Sequence, residues 1–400
     1  MSGSTSKFAA PFVAPEAVSR LRSVGLGIGV LGSVAAAVGY FGDPTQLTRS
    51  YLLGLTLWIS LPLGGLGLLM IQHLSGGDWG VLSRRVLEAA SRTLPFFALL
   101  FVPLMIWGLP ALYRGEKGWM ADDPGELVAS KSWYLNVQDF RLRTVLYFAV
   151  WIALAWILSR LSGQQDAEPD PVLIKRMQAI SAPGIILYVV TASFASFDWL
   201  MSLTPNWYST MYGVYFVGGH GLATLAFVIL VARHLSRREP MTDVFAPRHF
   251  HDWGKLMFAF VILWAYFSIS QFLIIWSGNL PDEISWYLPR FQTSWLAVSA
   301  CLLLFHFGVP FVLLLSRDLK RHAARLAAVA VFLIFMRWLD LLWQIAPTFH
   351  PSGFHLSWMD VATPLGIGGL WLTYFAWELA RRPLLPVGDP YLEEALVHGH

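Results

Sequence analysis

Cysteine is nearly absent: Cys301 is the only one in 400 residues. One thiol cannot close an internal disulfide, hold an iron–sulfur cluster or form the paired-cysteine attachment of a c-type haem. Set in an apolar stretch, Cys301 reads as a small buried hydrophobe. Any redox metal serving this chain must then be a noncovalent haem or sit on a partner. Charge is scarce as well. Only 13% of residues are Asp, Glu, Lys or Arg, about half the share of a soluble domain, which leaves no room for a sizeable water-soluble unit. The net charge of +3 gives no basic excess with which to recruit nucleic acid. Walker loops, dinucleotide fingerprints, HExxH and GxSxG are all missing, so no soluble-enzyme constellation is present.

What fills the chain is apolar. Hydrophobic residues make up 56% of the sequence, and the mean hydropathy is +0.55. Windows long enough to cross a bilayer, about 20 residues, recur ten times: 24–41, 51–72, 93–112, 143–160, 180–200, 209–232, 255–276, 294–315, 324–346 and 361–379. In hydrocarbon each backbone amide must find its partner locally, so these windows predict helices. Alternation at period two is absent, which excludes an outer-membrane barrel. The expectation is an all-α integral membrane protein of about ten transmembrane helices.

Lysine and arginine set its orientation. With the N-terminus inside, twenty of the 28 basic residues fall on inner segments and seven on outer ones, with Arg337 left inside a span. Basic residues collect on the cytoplasmic side, which predicts both termini there. Among the outer loops, 113–142 is the longest and holds Trp119, Trp133 and Tyr134. The loops 201–210, 277–293 and 347–360 are short and aromatic. They suit either a docking surface for an extracytoplasmic partner or an ordinary interfacial aromatic belt.

An internal repeat is visible. The fifth span ends Asp198-Trp199-Leu200-Met201-Ser202-Leu203-Thr204-Pro205-Asn206-Trp207, and the ninth ends Asp340-Leu341-Leu342-Trp343-Gln344-Ile345-Ala346-Pro347-Thr348-Phe349. Each has an acid seven residues before a proline and an aromatic two residues after it. The second span holds Gly64-Gly65-Leu66-Gly67, and the sixth holds Gly218-Gly219-His220-Gly221. Helices 2–5 therefore read as a copy of helices 6–9, and four spans per unit give both copies the same orientation. The predicted organisation is an N-terminal segment 1–23, a flanking helix 24–41, a first four-helix bundle 51–207 and a second 208–349. A flanking helix 361–379 and a tail 380–400 follow.

Ionisable groups inside spans are costly and tend to be buried in the bundle, paired and functional. The candidates are Asp198, His220, His306, Arg337 and Asp340, with Gln271 and Gln344 as polar neighbours. Helical spacing gives α-helical stripes: Tyr188, Thr191, Ala195, Asp198 and Ser202 in the fifth span, and Arg337, Asp340 and Gln344 in the ninth. These groups occupy a band from the middle of the membrane outward, where they can bind water and relay protons. The plainer alternative is structural. Arg337 and Asp340 can simply neutralise each other, His220 can bond a backbone carbonyl, and Asp198 can be solvated at a helix end.

The ten-span plan, the doubled four-helix unit and the segment from Ser196 through Asp198, Pro205 and Trp207 to Gly213 resemble a known family. They are similar to the F subunit of bacterial alternative complex III, a quinol:cytochrome c oxidoreductase whose membrane subunits resemble the NrfD/polysulfide-reductase proteins. The resemblance implies two four-helix bundles flanked by two helices in the cytoplasmic membrane. It implies as partners a paralogous membrane C subunit, an extracytoplasmic iron–sulfur subunit, haem c subunits and small single-span subunits. Haem c and iron–sulfur clusters would sit on those partners, with no cofactor on this chain and quinol as a possible ligand. A proton path along Asp198, His220, Arg337, Asp340, Gln271 and His306 is the corresponding expectation. Leu66 stands where the repeat puts His220, which weakens a polar quinol site in the first bundle. Two rival classes remain. One is a secondary transporter, which also uses repeats and buried charges. The other is a haem-binding membrane anchor, for which His220 and His306 offer at most one haem.

Overall fold

The computed structural model describes residues 12–13, 15–115 and 118–397. Of the predicted segment 1–23, residues 1–11 and 14 lie outside the described residues. Ten long helices follow in order: α1 (Pro15–Gly42), α2 (Pro44–Ser75), α3 (Asp78–Tyr113), α4 (Val137–Ala167), α5 (Pro171–Trp199), α6 (Met211–Leu235), α7 (Pro247–Gly278), α8 (Trp295–Leu315), α9 (Ala323–Phe349) and α10 (Met359–Ala380). Among the described residues there is no strand. The protein is an all-α, multi-pass membrane protein.

Local chemistry sets the helix ends. Four long helices, α1, α2, α5 and α7, open on a proline, whose fixed φ suits the first helical position and whose missing N–H costs nothing there. Asp43, Asn136 and Asp170 cap α2, α4 and α5 by accepting backbone amides at 2.8–2.9 Å. The chain leaves α7 through Asn279 at φ +47°, a left-handed stop suited to asparagine. Two helices widen into π turns, Leu104–Gly108 in α3 and Leu302–Gly308 in α8. Pro110 and Pro310 follow each of them and withhold an amide from the preceding turn.

Nine of these helices, α1 to α9, are long and apolar enough to cross a membrane. The tenth, α10, is of similar length but carries Asp360 and Glu378 near its ends. A backbone bond settles the parity of the path. The amide of Leu384, just after α10, donates to the carbonyl of Phe12, just before α1, at 2.8 Å. Both described ends of the chain therefore lie on one face, here called the terminal face, and an even number of crossings is required. The opposite, loop face carries 114–115, 118–136, 204–210, 279–294 and 350–358.

Packing divides the helices into two bundles. In the first, α2 contacts α3 and α5, and α4 contacts the same two helices; in the second, α6 contacts α7 and α9, and α8 contacts those two. The bundles meet where α2 lies along α6 and α5 along α6. Burial marks the centre: 94% of the apolar window of α2 and 83% of that of α6 is buried, against 22% for α1 and 28% for α7. The outer helices thus present apolar surface outward, as lipid-facing helices do. Close approach at the seam depends on Gly64, where an added Cβ would stand 2.4 Å from the His220 carbonyl oxygen. Helices α1 and α10 flank the bundles together, on the α2 side. They interlock through small residues; a Cβ on Gly32 would meet the Gly366 backbone at 2.4 Å.

The apolar windows understate several helices; α5 begins nine residues and α7 eight residues before the predicted spans. Helix α1 begins nine residues before its predicted span, and α3 begins at Asp78 rather than near residue 93. Arg84, Arg85 and Glu88 consequently lie within a helix and not in a loop, and Arg92 stands in the turn between Ser91 and Leu94. Arg84, Arg85 and Glu88 are buried.

Candidate functional site

The second bundle has a polar interior built around Asp340, a fully buried carboxylate. It lies three residues after Arg337 on α9, so both side chains fall on one helical face, and the two form an ion pair. Tyr215 of α6 donates to Asp340 Oδ1. Gln344, one turn on, donates from Nε2 to Asp340 Oδ2 at 3.2 Å, and Trp264 of α7 reaches the same oxygen at 3.4 Å. Tyr212 of α6 donates to Gln344 Oε1 at 3.0 Å. A hydrogen-bonded string therefore runs from Asp340 through Gln344 to Tyr212, in the direction of the loop face.

Deeper in the bundle is His220, with no exposed surface. Its Nδ1 lies 3.2 Å from the hydroxyl of Tyr188 on α5, which ties the two bundles together. Arg337 fits beside it because residue 219 is glycine; a Cβ there would stand 2.4 Å from the guanidinium carbon. Nε and Nη2 of Arg337 and Nε2 of His220 have no protein hydrogen-bond partner. His306, on the π turn of α8, packs against Trp264 with centroids 4.1 Å apart and the rings tilted by 32°. Gln271 stands apart from Asp340, accepting from Ser209 and donating to Tyr287, each at 3.1 Å.

The first bundle has its own carboxylate cluster. Asp198, equally buried, accepts two hydrogen bonds from Arg143 of α4, at 2.9 and 2.8 Å, a bidentate pairing of high geometric specificity. Tyr147 donates to the same carboxylate at 2.6 Å. Tyr134 lies under the Arg143 guanidinium at 3.8 Å, and Ser202 bonds back to the Asp198 carbonyl. Leu61 and Leu66 of α2 are both buried.

The predicted site residues therefore do not form one continuous chain. Arg337 and Asp340 come together, with His220 and His306 at their margins. Asp198 belongs to a separate cluster in the other bundle, and Gln271 lies in a third at the loop face. Several members were missed. Arg143 stands at the edge of the predicted span 143–160, and its partner Asp198 is on another helix. Tyr215, Tyr212 and Trp264 carry no charge to mark them. Arg290, a basic residue of the outer loop 277–293, is buried on a short helix, Leu288–Gln292, after α7. It donates to the backbone carbonyls of Trp286, Trp343 and Gln344 at 2.5, 3.2 and 2.8 Å and stacks on the Trp286 ring at 3.4 Å. Burial lowers its pKa to about 9, and burial raises that of Tyr287 beside it to about 12.

A fourth polar region lies at the terminal face. Glu88, fully buried, receives Arg85 at 2.7 Å and the Ser162 hydroxyl at 2.5 Å. Arg85 also pairs with Asp166, and Arg84 with Asp389 of the tail. Spacing offered a signal here, since Arg85, Glu88 and Arg92 fall at i, i+3 and i+7. His73, also missed at the end of α2, is buried with Nδ1 2.9 Å from Ser181.

Chemically, the Asp340 cluster combines a carboxylate, a fixed cation and two phenols, groups that hold and pass protons. Among the described residues no three His, Cys, Asp or Glu side chains gather into a metal-binding group. Neither protein-family models nor curated proteins match the chain.

Proposed function

We propose that this chain is an integral subunit of a quinol-oxidising respiratory complex of the alternative complex III type. In this reading it lies in the bacterial cytoplasmic membrane with the terminal face inside. It supports electron transfer from quinol to a c-type cytochrome or oxidase by carrying a proton route and not a redox centre. Haem c and iron–sulfur clusters belong to partner subunits, alongside a paralogous membrane subunit.

The observation that carries this reading is the Arg337–Asp340 pair in the interior of the second bundle, bonded to Tyr215 and Gln344. A buried ion pair is poor value for stability alone, because desolvation offsets most of its Coulombic gain. In a membrane helix such groups mark ion or proton pathways. Protonation of Asp340 would weaken its hold on Arg337, and Gln344 and Tyr212 extend the bonded string toward the loop face. Buried polar atoms without a protein partner, such as Nη2 of Arg337 and Nε2 of His220, are positions where internal water bonds.

The seam between the bundles speaks against a transporter. Alternating access requires one repeat to rock against the other, whereas α2 and α6 meet backbone to backbone at Gly64. The test is the composition of the native assembly in mild detergent. Co-purification with multihaem c and iron–sulfur subunits is expected. Isolation as a lone chain that drives solute flux in liposomes would overturn the proposal.

A further inference from the structure

Away from the bundle interiors, the Ser91–Pro95 stretch of α3 and the terminal-face ends of α4 and α10 enclose a groove of about 740 Å3. Four arginines line it, Arg92, Arg160, Arg381 and Arg382, with Glu378 as the one acid among its lining residues. We propose that this groove binds the headgroup phosphate of an anionic phospholipid.

Two of the arginines are fixed in place. Arg92 donates from Nε to the Glu378 carboxylate at 2.7 Å and from Nη2 to the Glu378 backbone carbonyl at 2.8 Å. Arg382 donates to the Ser159 carbonyl at 2.8 Å, in space left by Gly163, where a Cβ would meet its guanidinium at 3.1 Å. The other two are exposed, Arg381 while paired with the Glu378 carboxylate at 3.3 Å. Arg160 stands over the Trp156 ring at 5.4 Å, and Arg381 over Trp377 at 4.7 Å. Those rings are 60% and 41% exposed, as interfacial tryptophans are. Forked guanidinium donors suit phosphate oxygens, and a basic pocket between helices at one membrane edge suits a lipid headgroup. The groove also has an apolar side, formed by Pro95, Ile152 and Ala155. That side gives an acyl chain a bed, which free phosphate would not use, and selects lipid as the ligand.

The full chain in nonionic detergent is titrated with dioleoylphosphatidylglycerol and, separately, dioleoylphosphatidylcholine, and bound lipid is counted by native mass spectrometry. Binding of the anionic lipid at least about tenfold tighter is expected. Combined Arg160→Gln and Arg381→Gln should remove that preference at unchanged helix content. Arg20→Gln with Arg22→Gln, on exposed α1 positions of the same face, should leave it intact. Should the groove variant fail to fold, Arg160→Gln alone must still weaken the anionic lipid about threefold. Equal binding of both lipids, an unaffected groove variant or an equal loss in the α1 variant would overturn the proposal. Displacement of the lipid by millimolar inorganic phosphate would do so too, by revealing a free-anion site.

Discussion

The two bundles keep the same carboxylate and neutralise it differently. Asp198 and Asp340 each stand seven residues before a proline at the loop-face end of a helix. In the first bundle the cation reaches across from α4, and Arg143 retains 18% side-chain exposure. In the second it comes from the same helix, and Arg337 is 1% exposed. The apolar Leu66 of α2 is matched by His220 of α6. The two bundles thus share a buried acid but draw its cation from different helices, near the water in one and deep in the other. The difference indicates that the second bundle bears the heavier electrostatic load, because its cation cannot turn to solvent if the acid is lost.

Substitutions can break or sharpen that contrast. The largest effect is expected for Asp340→Ala, which strands a buried guanidinium. A loss of about 3–5 kcal/mol is expected, read as the thermal unfolding midpoint in detergent. Pairing Asp340→Leu with Arg337→Met should recover more than half of that loss. Next comes Gly64→Ala, whose Cβ meets the α6 backbone; overpacking of about 1–3 kcal/mol should loosen the seam between the bundles. Gly27→Ala on α1, with nothing within 4 Å of its Cβ, should stay within about 0.5 kcal/mol of wild type. Asp198→Asn should cost less than Asp340→Ala, about 1–2 kcal/mol, since Arg143 keeps its access to water. If Asp198→Asn were the more damaging of the two, the contrast would be reversed.

The smallest effect concerns His350, in the loop just after α9. Burial chiefly, with His355 and Arg49 nearby, lowers the pKa of His350. The folded protein therefore resists a proton that the unfolded chain accepts near the ordinary histidine value. This contribution is fully present above that value and is lost as the pH falls through it. The midpoint should drop slightly more between about pH 7.5 and about pH 5.5 in wild type than in His350→Gln, and solvent screening keeps the difference small.

Legibility in the sequence followed the range of each interaction. Helices announced themselves through local hydropathy, and Arg337 with Asp340 through their spacing on one helix. Arg143 did not, because its partnership with Asp198 spans 55 residues and depends on which helices are neighbours. The start of α3 was missed for another reason. Arg84, Arg85, Glu88 and Arg92 depress hydropathy although most of their charge is cancelled inside the fold. Arg290 looked like a loop charge since nothing local reveals that three backbone carbonyls and a tryptophan ring enclose it.

The central claim, that the Asp340 cluster carries protons, is tested most directly in proteoliposomes containing the native complex, by measuring protons moved per electron transferred. Asp340→Asn is expected to lower that ratio while Gly27→Ala leaves it at the wild-type value. An unchanged ratio and turnover in Asp340→Asn would contradict the account.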